Sequence, residues 1–140
     1  IPENGMKGVL MFKHKPIIDS KGRPVEPVIA LVYEKTQEKD VIAYSINALG
    51  QKPFKLKYEL LGGYPDFSTS KYSVVFNVTY MREDIEHKIM LGYIVHNDIG
   101  IEIIGDSTEE LYSQVENDIR KFLKSVNNEW YNNERHITAN

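Results

Sequence analysis

Apolar and polar residues alternate along the middle of the chain in a way that predicts β-strands. In FKLKYEL, residues 54 to 60, apolar positions alternate with lysine and glutamate, the period of two that gives a strand one wet face. Three further runs, KYSVVFNVTY, HKIMLGYIVH and GIEII, follow one another with short connections, which predicts an antiparallel meander. Residues 89 to 95 are apolar on both faces, so we expect this strand to be covered on both sides.

Two earlier runs also predict strands. GVLMF, residues 8 to 12, is followed by the turn-rich stretch HKPIIDSKGRPVEP, and VIALVY, residues 28 to 33, is rich in β-branched residues. The lysines of FKLKYEL favour an edge position for that strand, because lysine discourages edge-to-edge association.

A short helix is predicted between the second and third strands. Asp40 can accept hydrogen bonds as its N-cap, and Gly50 and Pro53 lie just beyond its end. Spacing along this helix predicts a buried face made of Val41, Tyr44, Ala48 and Leu49.

A long C-terminal helix is predicted over residues 107 to 126. Ser107 and Glu110 have the spacing of a capping box, which satisfies backbone donors at a helix start. Apolar residues then recur every three or four positions and predict one buried stripe, made of Leu111, Val115, Ile119, Phe122 and Val126. The remaining residues, 127 to 140, are predicted to form a polar tail.

These elements predict one α+β domain spanning residues 1–140, with an antiparallel sheet sandwiched between helices in an α/β/α arrangement. A chain of 140 residues has an ordinary length for a single domain, and its composition, 41% hydrophobic and 26% charged, is typical of a globular fold. No apolar run approaches the roughly 20 residues that a membrane-spanning helix needs.

Charge and cysteine content exclude several function classes. The net charge is −3 and basic residues are scattered, which argues against nucleic acid as a partner. The chain contains no cysteine, so thiol chemistry and thiolate metal sites are excluded. The polar start, IPENG, is typical of a mature exported product, so we expect a periplasmic or extracellular protein, with the cytoplasm as the alternative.

No catalytic, cofactor-binding or metal-binding residue emerges from the motifs. None of the four histidines has the spacing of a helical zinc site, and no serine lies in a nucleophile elbow. The glycine runs lack the pattern of a phosphate or dinucleotide loop. His96 with Asp98 is the weakest hypothesis, since an enzyme would need both groups to converge in a cleft.

Two segments are candidate partner-binding surfaces. The loop LLGGYPDFSTSKY combines glycines with rigid apolar side chains, a composition that suits recognition, although such a loop also packs against a sheet edge. Its candidate contact residues are Gly62, Gly63, Tyr64, Pro65 and Phe67. In the tail, Trp130 and Tyr131 are the candidates.

The order of elements resembles the PsbP family and the related Ran-binding Mog-type fold. The resemblance covers residues 6 to 126 and lies in DSKGRPVEPVIALVYEK, in DVIAYSINAL and in the segment from YSVVFNVTY to DIRKFLKSV. It implies an antiparallel sheet between helical layers. It also implies an adaptor, since photosynthetic members attach to the oxygen-evolving complex and another type binds a small GTPase. No partner-binding residue of that family can be placed by position in this sequence.

The leading functional hypothesis is therefore a non-enzymatic, exported protein-interaction domain with an unidentified protein partner. The alternative is a small-ligand-binding domain, with a pocket between sheet and helix that tyrosines line. Neither hypothesis requires a cofactor.

Overall fold

The computed structural model describes residues 7–53, 55–60 and 73–139, and of residues 58–60 and 127–139 it describes the backbone alone. The chain is an α+β protein. Its elements follow the order β1 (Gly8–Lys13), β2 (Ile17–Ile18), β3 (Pro24–Val25), β4 (Val28–Lys35), α1 (Val41–Gly50), β5 (Lys57–Leu60), β6 (Ser73–Arg82), β7 (Ile85–His96), β8 (Ile99–Thr108) and α2 (Tyr112–Ala139).

Six of the described strands form one antiparallel sheet in the order β1-β4-β8-β7-β6-β5. The predicted meander is confirmed as β6, β7 and β8. Two-residue turns join these strands, and Glu83, Asp84, Asn97 and Asp98 all have positive φ there, as the tightest hairpin turns require. The strand predicted from FKLKYEL pairs only with β6 among the described residues, so it lies at one edge.

β7 is buried along its central segment, which confirms the expectation for residues 89 to 95. Successive side chains of a strand point to opposite faces, and the core accordingly divides into two clusters. The first cluster combines residues of α1 with Ile89, Leu91, Tyr93 and Val95. The second combines residues of α2 with Met90 and Ile94.

β8 carries a glycine beneath each helix. A Cβ atom at Gly100 would collide with the ring of Tyr44 in α1, and one at Gly105 would collide with the side chain of Ile119 in α2. The absence of a side chain at these positions lets each helix approach the strand closely.

α1 forms as predicted. The Asp40 side chain accepts hydrogen bonds from the backbone N–H groups of Ile42, at 2.8 Å, and Ala43. The buried residues of the helix are Val41, Tyr44, Ser45 and Leu49, while Ala48 is half-buried.

α2 begins later than predicted, because the capping box at Ser107 and Glu110 does not form. Ser107 still belongs to β8, where it pairs with Lys88 of β7, and Glu110 instead accepts hydrogen bonds from the backbone and side chain of Ser20. Three residues of the predicted stripe, Leu111, Val115 and Ile119, are buried, with Leu111 just before the helix. The other two, Phe122 and Val126, are half-buried. The backbone of residues 127–139, predicted as a tail, continues the helix.

A small hairpin of β2 and β3 follows β1 and is organised by Asp19. The buried Asp19 carboxylate accepts hydrogen bonds from the backbone N–H groups of Lys21 and Arg23, and pairs with the Arg23 guanidinium at 2.7 Å. The Arg23 backbone bond and the guanidinium hold the pKa of Asp19 below its ordinary value. The Ser20–Glu110 bonds then tie the hairpin to the residues that precede α2.

Candidate functional site

The exposed strand β1 is the most unusual surface of the described part of the chain. Val9, Leu10, Met11 and Phe12 are 52% to 57% exposed. Eight large apolar side chains are exposed among the described residues, and half of them are consecutive on this strand. Because the four residues alternate between the two faces of the sheet, the edge presents apolar surface on both sides.

The outer backbone groups of β1 can be assigned from its pairing with β4. The His14 N–H donates to the Pro27 carbonyl at 2.8 Å, so this pair is hydrogen-bonded. Opposed residues in an antiparallel ladder alternate between bonded and non-bonded pairs. In the register that places Lys13 opposite Val28, the N–H and C=O groups of Val9, Met11 and Lys13 therefore point away from β4.

A cavity of about 210 Å³ lies beside β1, between the sheet and α2. Its walls are mainly apolar, and Phe12, Ile29, Val115 and Ile119 line it. The Phe12 ring also meets Phe122 of α2 edge-on, with ring centroids 5.8 Å apart. The exposed strand therefore borders a hollow of the size that a single large apolar side chain fills.

Basic residues mark both ends of this strand. Lys7 precedes the strand, Lys13 is its last residue, and His14 and Lys15 follow it. All four side chains are exposed. No acidic residue occurs between positions 7 and 15. Acidic residues of the same chain lie near both ends, because Lys7 lines a hollow together with Glu34 and Glu102, and Lys13 lines the cavity together with Asp118.

A second hollow, of about 240 Å³, lies between the C-terminal end of α1 and strands β4 and β8. Glu34, Tyr44, Lys52 and Glu102 line it. The Tyr44 hydroxyl donates to Glu34 at 2.8 Å, and the buried Glu102 accepts from Lys52 at 2.8 Å and from the Tyr93 hydroxyl at 2.6 Å. Burial, together with the Glu34 carboxylate, raises the pKa of Tyr44 above its ordinary value.

A third polar group joins Tyr80, His87 and Asp106. The Tyr80 hydroxyl donates to Asp106 at 2.7 Å, and Nδ1 of His87 lies 3.1 Å from the other carboxylate oxygen. The Tyr80 and His87 rings lie 5.0 Å apart. Burial and the bond to Asp106 raise the pKa of Tyr80, so the phenol stays protonated and serves as a donor to the carboxylate.

The predicted candidate residues fall largely outside the part of the chain that is described. Gly62, Gly63, Tyr64, Pro65 and Phe67 belong to residues outside it. Trp130 and Tyr131 lie on the backbone of α2, and their side chains are outside the described set. The prediction of a partner surface at these seven residues stays a prediction.

His96 and Asp98 lie on either side of the β7–β8 turn. Lys39 donates to the Asp98 carboxylate, and this bond and the charge of Lys39 hold the pKa of Asp98 below its ordinary value. Both residues border a surface hollow of about 320 Å³. His96 and Asp98 therefore flank a turn between two strands. The ion pair between Asp98 and Lys39 links this turn to the segment before α1.

Within the described ranges, no three or more His, Cys, Asp or Glu side chains are grouped so as to hold a metal ion. Neither helix, over the same residues, combines the length and the apolar character that crossing a membrane requires.

Sequence reasoning missed both the open edge and the tyrosine–carboxylate pairs. GVLMF predicts a strand but not its position in the sheet, and its exposure follows from its place at the end of the sheet. The Tyr80–His87 contact was accessible in principle, because a two-residue turn at Glu83 and Asp84 places these residues directly opposite each other. Tyr93 and Glu102 likewise lie directly opposite each other across the two-residue turn at Asn97 and Asp98. The partner of Glu34, by contrast, is Tyr44 on α1, and no strand pattern indicates that contact.

Comparisons with known proteins give a fold and no family. No protein-family model matches the sequence, and no curated protein matches it significantly. Among solved structures, the chain is similar to PA94 from Pseudomonas aeruginosa, a protein of unknown function that is described as a proposed regulator. The TM-score is 0.61 with 16% sequence identity, and the match covers 89% of this chain and 85% of PA94. At this identity, the similarity concerns the fold alone.

Proposed function

We propose that this domain is a non-enzymatic protein-interaction domain that binds its partner along the free edge of β1. The observation that carries the proposal is the run of four consecutive, half-exposed apolar side chains on an edge strand. Proteins usually protect such edges with charges, prolines or bulges, since an open edge accepts another strand. Residues 9 to 12 contain no charged residue and no proline, and their pairing with β4 has no bulge.

The polar groups of the fold support a non-enzymatic role. Glu34, Glu102 and Asp106 each accept a hydrogen bond from a tyrosine whose pKa is raised, so these phenols stay protonated. Such bonds satisfy the buried carboxylate of Glu102 and the half-buried carboxylates of Glu34 and Asp106, and they link strands and helices. Stabilisation of the fold is therefore enough to explain these tyrosine–carboxylate pairs, and they do not require a catalytic role.

The proposal includes the layered arrangement and the PsbP-like kinship predicted from the sequence. Gly100 and Gly105 are five residues apart on β8, so they face opposite sides of the sheet, and each lies against a different helix. This supports an α/β/α sandwich. The PsbP and Mog-type proteins are protein-binding domains, which agrees with an adaptor. The description of PA94 as a proposed regulator is compatible with this role.

Site-specific photo-crosslinking tests the proposed surface. Met11 on β1 and Met81 on β6 are equally exposed, at 57%, so a photo-crosslinking amino acid at Met81 is a matched control for one at Met11. The proposal predicts that Met11 captures a defined partner in the native cell and that Met81 does not capture it. Capture of the same partner from both positions, or from neither, would contradict the proposal.

Export is a separate part of the proposal, carried over from the expectation of a periplasmic or extracellular protein. Fractionation of the native cells, followed by immunodetection of the protein, tests it. We expect the protein in the exported fraction, and its recovery with cytoplasmic markers would contradict export without affecting the proposed surface.

A small-ligand-binding domain is the second candidate function. The hollow beside α1 favours it, because two carboxylates, two ammonium groups and a phenol surround about 240 Å³. Melting-temperature shifts with a panel of small amines and amino acids test this function. Tyr44→Phe, which removes the hydroxyl bound to Glu34, should reduce any shift, and a panel with no shift for the wild-type protein would contradict ligand binding.

A further inference from the structure

We infer that the partner presents an extended segment with large apolar residues at its centre and acidic residues at both ends. This inference rests on the proposed function and specifies the chemistry of the partner. Three features of β1 carry it: the outward backbone groups, the cavity beside Phe12 and the basic residues at the ends of the strand.

The backbone of β1 provides a template for one more strand. The N–H and C=O groups of Val9, Met11 and Lys13 point outward, so an added strand can form ladder hydrogen bonds without disturbing the pairing with β4. Such bonds are independent of the partner's sequence. Selectivity therefore has to come from the side chains that flank them.

The exposed side chains of β1 favour a partner segment with apolar residues at its centre. Leu10 and Phe12 are exposed on the face that carries α2, and Val9 and Met11 on the other face. A large residue of the added strand next to Phe12 lies beside the cavity of about 210 Å³, whose apolar walls include Val115 and Ile119. Strand-addition sites commonly gain their specificity from such side-chain pockets.

The ends of β1 select acidic residues. Every charged residue from position 7 to position 15 is basic, and Lys7, Lys13 and Lys15 are exposed. Opposite charges that face each other across two strands are favourable, while like charges are unfavourable. With basic groups at both ends, a segment with acidic residues at both ends fits in either strand direction.

The same charges disfavour a second copy of this chain as the occupant. A symmetric antiparallel pair of β1 strands has to bring outward-pointing residues opposite each other, so it is centred on Leu10 or on Met11. The first register would place Lys7 opposite Lys13 of the other copy, and the second would place Lys7 opposite Lys15. Each of these registers brings basic residues together at both ends of the paired strands.

Fluorescence anisotropy with synthetic peptides tests the inference on the full chain. The probe is a fluorescein-labelled peptide, Glu-Glu-Val-Thr-Phe-Val-Leu-Thr-Glu-Glu, and the control peptide has lysine in place of every glutamate. We expect the glutamate peptide to bind at least about tenfold more tightly, the difference that several exposed charge pairs produce together. A third peptide, with alanine in place of phenylalanine and leucine, should bind more weakly than the first.

Variants of β1 locate the binding. Met11→Pro removes an outward N–H group, whereas Met11→Ala keeps it, so only the proline variant should lose binding of the glutamate peptide. Lys13→Glu changes an exposed residue and leaves the backbone intact, which keeps the test valid if the proline variant does not fold. This variant should weaken the glutamate peptide and strengthen the lysine peptide.

The outcomes separate this inference from the proposed function. Equal binding of both charged peptides, lost in Met11→Pro, would overturn the inferred partner chemistry and leave the edge as the binding surface. A dimer in light scattering that Met11→Pro converts to a monomer, with no peptide binding, would replace the inferred partner with a second copy. An absence of peptide binding together with an absence of crosslinks from Met11 would overturn both.

Discussion

The two edge strands of one sheet have opposite surface chemistry. β5 is four residues long, and the lysines at its start, Lys55 and Lys57, are exposed. β1 is six residues long, and its central residues 9 to 12 expose about half of their apolar surface. Lysine on an edge discourages strand addition, and an apolar edge permits it. The lysine of β1, Lys13, is at its last position, so among the described residues the sheet is protected at one end and open over residues 9 to 12 at the other.

The helices add to this difference. α1 packs on β6 and β7, towards the β5 edge, while α2 packs on β7 and β8 and reaches β1 through the Phe12–Phe122 contact. Only the second arrangement, among the described residues, places an apolar cavity next to an edge strand. An open edge and a side-chain pocket together make a more selective surface than either feature alone.

The largest expected effect is that of Gly105→Ala. The added methyl group collides with Ile119 and forces α2 away from the sheet, so we expect the free energy of unfolding to fall by about 2–3 kcal/mol. Urea unfolding measures it, and peptide binding at β1 should weaken because α2 also lines the cavity. In Gly50→Ala, the control, the new methyl group meets nothing within 4 Å. Equal stability of the two variants would contradict the packing of α2.

Acid should loosen the β1 side of the molecule before the β5 side. The pKa of Asp19 is lowered in the folded state, so its carboxylate stabilises the fold above its unfolded pKa of about 3.9. That contribution is lost as the pH falls through the lower, folded value. Asp19→Asn should remove this pH dependence, and hydrogen exchange of residues 17–25 measures it. Earlier exchange in residues 57–60 would contradict this expectation.

Placing a lysine on β1 and removing one from β5 should change partner binding and self-association, with little effect on the stability of the fold. Met11→Lys and Lys57→Val alter exposed positions, so each should shift the free energy of unfolding by less than about 0.5 kcal/mol. Met11→Lys should lose partner binding, and Lys57→Val should self-associate in light scattering as its edge loses protection. Retained binding in the first variant would contradict the assignment of β1.

The smallest effect is expected for Ser107→Ala. The Ser107 hydroxyl is buried, and within the described residues it has no hydrogen-bond partner, so its removal should leave stability within about 0.5 kcal/mol of the wild type or raise it slightly. The capping box predicted from the sequence would instead require a loss of about 1 kcal/mol. Thermal unfolding distinguishes the two values.

The sequence predicted the features that depend on local pattern. Alternation of apolar residues was sufficient for the meander of β6 to β8, and Asp40 with the spacing after it was sufficient for α1. Lysines at positions 55 and 57 predicted the edge position of β5. Each of these signals lies within a few residues of the structure that it specifies.

The features that were missed depend on distant segments. Ser107 has the spacing of a helix cap, but pairing with Lys88 keeps it in β8, and the local sequence does not contain that competition. The roles of Gly100 and Gly105 depend on which helix crosses the strand. The exposure of β1 depends on the order of strands in the sheet, which its own five apolar letters do not specify.

Hydrogen exchange of individual amides, followed by NMR spectroscopy with and without the glutamate-flanked peptide, tests the central claim most directly. The amides of Val9 and Met11 point outward from β1, so the account predicts that the peptide protects them and leaves the amides of Lys57 to Leu60 unchanged. Protection at β5 instead, or exchange at Val9 and Met11 that saturating peptide does not slow, would contradict the account.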